Sequence, residues 1–280
     1  MPYGKLYLCA TPIGNFGDIT YRCVEVLKSV DLIAAEDTRH TRGLLNHLNI
    51  DKPMTSYFEH NRREKGEMLI ERLKRGESIA LVSDAGTPAI SDPGEDLVAL
   101  CAEHGVDVVP IPGAVAGINA LIASGLPTGR FTFEGFLTVN KRGRMEMLEE
   151  LKTERRTMIF YEAPHKLINT LTDMLAVFGN RRISLCRELT KIHEEFFRTD
   201  LATALEHYSE NPPKGEFVLI VEGWSAEEAA AQSRAKWEDM TVAEHVQMYI
   251  DGGMSEKEAM KAAANDRGVS RRDIYAELKL

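Results

Sequence analysis

Short apolar runs alternate with amphipathic stretches along residues 1–113 of this chain. Residues 6–10, 32–35, 54–58, 79–82 and 106–111 are nearly continuous in apolar side chains. Such runs suit strands buried on both faces. Residues 20–30, 38–48, 62–75 and 93–104 between them carry a helical spacing of apolar positions. This strand–helix rhythm predicts a mostly parallel sheet covered on both sides. Pro112-Gly113 interrupts it, and 114–124 reads as a helix of small residues.

A second region has another character. Strands at 131–136, 157–161, 183–186, 194–198 and 217–221 alternate with helices at 144–152, 165–178 and 201–208. The third and fourth of these strands are close enough to pair as a hairpin, which predicts a mixed sheet. The expected organisation is therefore an α/β domain over 1–113, a second α/β domain over 114–223, a helical connector over 224–240 and a helical module over 241–280. In that last segment Gly252-Gly253 stops one helix, Ser255 to Glu258 forms a capping box for the next, and Gly268 ends it. Ser270 with Asp273 caps a third, giving a short helix-turn-helix-like unit. A plain helical bundle fits the same pattern.

Three loops follow predicted strands and carry the turn-forming residues. Ser83 to Gly94 reads SDAGTPAISDPG, Thr11 to Asn15 reads TPIGN, and Pro110 to Ala116 reads PIPGAVA. Gly, Pro and Asp also dominate purely structural turns. Three such loops at the carboxyl ends of parallel strands, however, mark the place where small ligands bind if the strands are neighbours. Neither GxGxxG nor GxxxxGK[ST] occurs, so a nucleotide phosphate fits poorly. Main-chain donors and acceptors suit an adenine ring or an amino-acid end better.

Composition narrows the picture further. The chain has 280 residues, 44% hydrophobic, and a formal net charge of −9. That is enough for about two domains at roughly 150 residues each. No apolar run approaches the ~18 residues of a membrane span, and the N-terminus reads as a first strand rather than a signal peptide. Cys9, Cys23, Cys101 and Cys186 are scattered without a CxxC pair, which fits small buried residues in a reducing cytoplasm and argues against structural zinc. The negative balance argues against indiscriminate nucleic-acid binding, though basic clusters such as Arg62-Arg63 and Arg271-Arg272 leave room for a local basic face.

Eight segments in order resemble one known family: TPIGN, AAEDTR, SYFEHN, LVSDAGTPAISDPG, PIPGAVAG, FYEAPHK, RELTK and GEFVLIVEG. Together they are similar to the RsmI family, ribosomal RNA 2′-O-methyltransferases of the tetrapyrrole methylase superfamily. The resemblance runs from Lys5 to the C-terminus. It implies two α/β domains with S-adenosyl-L-methionine in the cleft between them, and a homodimer. Pro12, Gly14, Ser83, Asp84, Ala85, Pro88 and Ile90 would hold the cofactor, with Ala114, Val115 and Ala116. Tyr161, Glu162, Ala163, Leu189 and Gly215 would face the same cleft. The implied substrate is a cytidine in the decoding region of small-subunit rRNA, as naked RNA or an assembled subunit, in the cytoplasm, with no metal, membrane or DNA partner.

Methyl transfer from a sulfonium is an in-line displacement, so alignment in a dry crevice is the main task. A carboxylate or histidine near the ribose hydroxyl would take its proton. Polar residues at strand ends are the candidates: Asp37, Glu59 and His60 as proton acceptors, Arg39 and Arg187 for phosphate or developing charge. Asp37 and Asn61 also suit helix caps. The C-terminal helices, with Arg267, Arg271 and Arg272, are expected to help dock RNA. Two other readings compete: a methyltransferase for a tetrapyrrole or other small molecule, and a non-catalytic ligand sensor with a DNA-binding helix-turn-helix.

Overall fold

The first sheet is built from β1 (Leu6–Cys9), β2 (Leu32–Ala35), β3 (Met54–Ser56), β4 (Ile79–Val82) and β5 (Val108–Ile111), in a computed structural model that describes residues 2–225, 234 and 236–278. All of its pairings are parallel and the order is β3-β2-β4-β1-β5. Its strands β2 and β4 are buried on both faces, as near-continuous apolar runs require. Helices α1 (Tyr21–Ser29) and α2 (Thr38–His47) supply Cys23, Leu27 and Leu45 to the core on one face. Helices α3 (Arg62–Lys74) and α4 (Gly94–Glu103) supply Leu69, Ile70, Leu73 and Leu97 on the other.

This distribution positions the site. The connection after β1 runs to β2 on one side of it, whereas the connection after β4 runs to β5 on the other. Right-handed crossovers then send the two loops to opposite faces of the sheet. A crevice opens at the carboxyl ends of β1 and β4, which are adjacent.

The second sheet holds β6 (Phe131–Phe136), β7 (Thr157–Glu162), β8 (Arg182–Arg187), β9 (Glu195–Asp200) and β10 (Phe217–Val221), in the order β6-β7-β10-β8-β9. Only β6 and β7 pair in parallel; β8 and β9 form the expected hairpin. Helices α6 (Lys141–Leu151), α7 (Leu167–Phe178) and α8 (Leu201–Glu210) cover one face with Leu148, Leu171, Met174 and Leu201. On the other face, α5 (Ala116–Ala123) buries Ala120 and Leu121 against Ile159, Val218 and Ile220. The chain thus passes from one sheet to the other between β5 and α5. Both sheets lie in one compact unit, Met1–Gly223.

Trp224–Leu280 is a separate unit. Its helices α9 (Val242–Asp251), α10 (Glu256–Arg267) and α11 (Arg271–Leu278) bury Val242, Val246, Ala263 and Ile274 among themselves. Thr241 and Ser255 each form a full capping box, and Gly268 ends α10 in the left-handed conformation at φ +66°. Ser270 and Asp273 cap α11 reciprocally. Most of the connector expected over 224–240 lies outside the described residues.

Two expectations need correction. Asn61 does not cap α3 with its side chain. Its amide oxygen accepts from the Phe58 N–H at 2.9 Å and its amide nitrogen donates to Ser56, so it closes its own loop instead. Arg267 is not a free cation for RNA. It donates to His245 Nδ1 and to the Met240 carbonyl and lies over the Trp237 ring, inside the tail's own polar core. Arg271 and Arg272 are exposed.

Candidate active site

The three turn-rich loops meet. Thr11 and Gly86 exchange main-chain hydrogen bonds of 2.8 and 3.1 Å, tying the loop after β1 to the loop after β4. The Thr87 hydroxyl donates to the Ala114 carbonyl at 3.0 Å, and the Thr20 hydroxyl to the Pro112 carbonyl. The loop after β5 is thereby held to both of the others. Asp92 fixes the far end of the β4 loop by accepting from the N–H groups of Ala89, Ile90 and Gly94. Ala89 and Ser91 sit at φ +69° and +62°, where residues other than glycine rarely go. Backbone held this way on a cavity wall is typical of ligand-binding loops.

The second sheet closes the opposite wall. A bulge between Phe133 and Gly135 shifts the register of β6. Without it, Phe133 and Phe136 would point to opposite faces. With it, both rings meet Tyr161 edge-on, at 5.1 and 5.5 Å between centroids. The Tyr161 hydroxyl accepts from the Gly117 N–H at 3.1 Å, and burial pushes the phenol's pKa up. The Glu188–Lys191 turn supplies the rim. Its Lys191 amine bonds Glu188 at 2.8 Å and Glu216 at 3.0 Å, while its stem runs over Gly14. A Cβ on Gly14 would lie 2.3 Å from Lys191 Cγ. Gly215 is equally constrained, at φ +82° with no room for a Cβ beside Glu188.

The open cavity between these walls has a volume of about 550 Å³. That is ample for a nucleoside-sized ligand. From the first sheet, Ser83, Ala85, Ile90, Val115 and Ala116 line it. Tyr161, Glu162, Ala163 and Leu189 line it from the second. Pro12, Gly14, Asp84, Pro88, Ala114 and Gly215 lie in the same loops without lining the cavity; they shape the backbone behind it. Glu36, His165 and Lys191 stand in polar groupings that the sequence offers as candidates, but the choice fell on their neighbours; these three and Asp92 do line it. Glu36 was legible as the first residue beyond an apolar strand. The others depend on how loops fold back.

The five residues expected to do chemistry lie elsewhere. Asp37 accepts from the Arg39 N–H at 2.8 Å as the cap of α2, and binds the Arg39 guanidinium with both oxygens. That side chain, and then the backbone N–H, hold its carboxyl down to about 2. Glu59 pairs with Arg62 on an exposed loop, and His60 sits edge-on to Phe58. Arg187 is paired with Glu195 across the β8–β9 hairpin at 2.8 Å. None of the five lines the cavity.

A deep crevice at the carboxyl ends of a parallel sheet, walled by a second, mixed sheet, defines the class. A family model for Tetrapyrrole (Corrin/Porphyrin) Methylases matches residues 5–205. Uroporphyrin-III C-methyltransferase from Thermus thermophilus, crystallised with S-adenosyl homocysteine, superposes with a TM-score of 0.55. It is 18% identical and covers 78% of this chain and 97% of its own. Diphthine synthase superposes at 0.59 with 13% identity, over 78% of this chain and 90% of its own. These likenesses establish the fold. Sequence relatives go further. The protein named ribosomal RNA small subunit methyltransferase I of Halalkalibacterium halodurans is 53% identical over 97% of this chain and 93% of its own. Its namesake in Synechocystis is 49% identical over 97% of this chain and 96% of its own. The chain belongs to the RsmI family of ribosomal RNA small-subunit methyltransferases, within the tetrapyrrole methylases.

Proposed function

We propose that the protein transfers a methyl group from S-adenosyl-L-methionine to the ribose 2′-hydroxyl of a cytidine in small-subunit rRNA, acting as a homodimer. The observation that carries this reading is the cavity closed by the loops after β1, β4 and β5, in a chain of this family. Its walls fit the donor. Main-chain groups of the β4 and β5 loops suit an adenine, and the apolar surface of Ile13, Val115 and Leu189 suits a flat ring. The Asp92 carboxylate on the wall favours a ligand carrying a sulfonium and an ammonium.

When bound, the donor supplies an electrophilic methyl carbon with a neutral thioether as leaving group. The protein supplies alignment. Tyr161 and Phe136 make a floor buttressed by Phe133, and the β4 loop makes a roof held by its own hydrogen bonds, so little ordering remains to be done on binding. Exposed cations near the starts of α2 and α3, notably Arg42 and Arg63, support an approach of RNA phosphate from this side. Calorimetric titration with S-adenosyl-L-methionine, followed by label transfer to isolated small ribosomal subunits and mapping of the modified ribose, tests the reading. Failure of the donor to bind, or label on a tetrapyrrole and not on RNA, would remove it.

A further inference from the structure

The cavity wall carries four carboxylates: Glu36, Asp92, Glu162 and Glu216. Three have structural duties. Asp92 holds the three backbone N–H groups that shape the β4 loop. Glu162 accepts from the Ala163 N–H and from the Thr170 hydroxyl, and is almost fully buried. Glu216 binds the Lys191 amine that forms the rim. Glu36 stands at the carboxyl end of β2, the strand beside β4. It leans on the Asp84 backbone N–H, half-buried and open to the cavity.

We propose that Glu36, rather than its neighbour Asp37, is the carboxylate that takes the proton from the acceptor hydroxyl during methyl transfer; this rests on the reading above. The ribose oxygen forms its bond to the methyl carbon while the sulfur–carbon bond breaks and its pair stays on sulfur. The hydroxyl proton passes to the Glu36 carboxylate and leaves to water with the product. Asp37 is unsuited to this, since Arg39 occupies both its oxygens. Surroundings make Glu36 the better base. Burial first, then the Asp84 carboxylate, with smaller contributions from Asp92 and Asp37, push its pKa above the usual carboxylate value. Across the cavity stand His165 and Lys191, whose amine is tied to Glu188 and Glu216. A base closer to neutral strength suits proton removal at physiological pH.

The test uses the full chain with labelled donor and isolated small subunits, under single-turnover conditions. Wild-type transfer in this assay examines the proposed reaction; the ratio of variant to wild type examines Glu36. Glu36→Gln is expected to slow the chemical step by at least about a hundredfold, within the range of general base catalysis. Donor affinity by calorimetry should stay within about threefold of wild type, since one hydrogen-bonding group replaces another. Wild-type rate should rise with pH through one ionisation above the ordinary carboxylate range, and the variant should lose that limb. Glu36→Asp should recover part of the rate. A Glu36→Gln rate within about threefold of wild type, or a donor affinity weakened tenfold at an unchanged saturating rate, overturns the assignment. If Glu36→Gln does not fold, a flat wild-type pH profile overturns it equally.

Discussion

Two neighbouring acids show how environment separates roles at the residue scale. Glu36 faces the cavity and is pushed up by burial; Asp37 turns outward to cap α2 and is held at about 2 by Arg39. The sign for Asp37 follows from linkage: its folded pKa lies below the unfolded value of about 3.9, so its stabilising effect is complete above that pH and disappears as pH falls toward 2. The carboxyl 13C resonance of Asp37 should therefore titrate near 2 in the folded protein. A midpoint near 4 would show that the Arg39 contact is not held in solution. Gly14 is the second residue-scale case. Its missing Cβ lets the Lys191 stem cross from one loop to another. Gly14→Val should displace Lys191 and weaken donor binding about tenfold, or ~1.4 kcal/mol, with little change in folding. Calorimetry beside thermal melting separates the two effects.

Among the elements, the strands were readable because their pattern is strong. Ile79–Val82, Phe131–Phe136 and Phe217–Val221 stand where the apolar runs place them, with the expected ends. Helix ends followed their caps, as at Thr20, Asp200 and Ser255. Asn61 departs from that rule because a nearer donor, the Phe58 N–H, captured its side chain. By sequence Arg144 reads as one of a basic cluster on a solvated helix face, and nothing marks Asp173. They join α6 to α7 through a buried ion pair at 2.7 Å, and Arg144 also donates to the Thr138 and Val139 carbonyls in the segment after β6. Removing one partner leaves a buried charge without compensation. Asp173→Ala should cost about 3–5 kcal/mol, read by urea denaturation. The double variant Arg144→Met/Asp173→Leu should recover much of that loss. A double variant as unstable as the single one would contradict this account.

For the whole molecule, the division at Gly223 matters most. Met1–Gly223 holds both sheets and every residue of the cavity, whereas the tail has a separate core around Val246 and Ala263. A protein ending at Gly223 should bind the donor with wild-type affinity and methylate small subunits at least about tenfold less efficiently, a loss of ~1.4 kcal/mol in transition-state stabilisation. Arg271 and Arg272, along with Lys257 and Lys261, are exposed cations through which the tail would act. Undiminished methylation would confine RNA recognition to the first unit. No helix among the described residues is long and apolar enough to cross a membrane.

The pattern of apolar and polar positions alone decided the strands, the helices, the parallel first sheet and the turn-rich loops. Those features are local: they depend on period, capping and turn chemistry within a few residues. What tertiary structure decided is which side chains face the ligand. Strand order made β1 and β4 neighbours, a bulge turned Phe136 toward Tyr161, and the end of β2 aimed Glu36 inward and Asp37 out. Adjacent residues at a strand end point to opposite sides, and only the packed sheet determines which side holds the cavity.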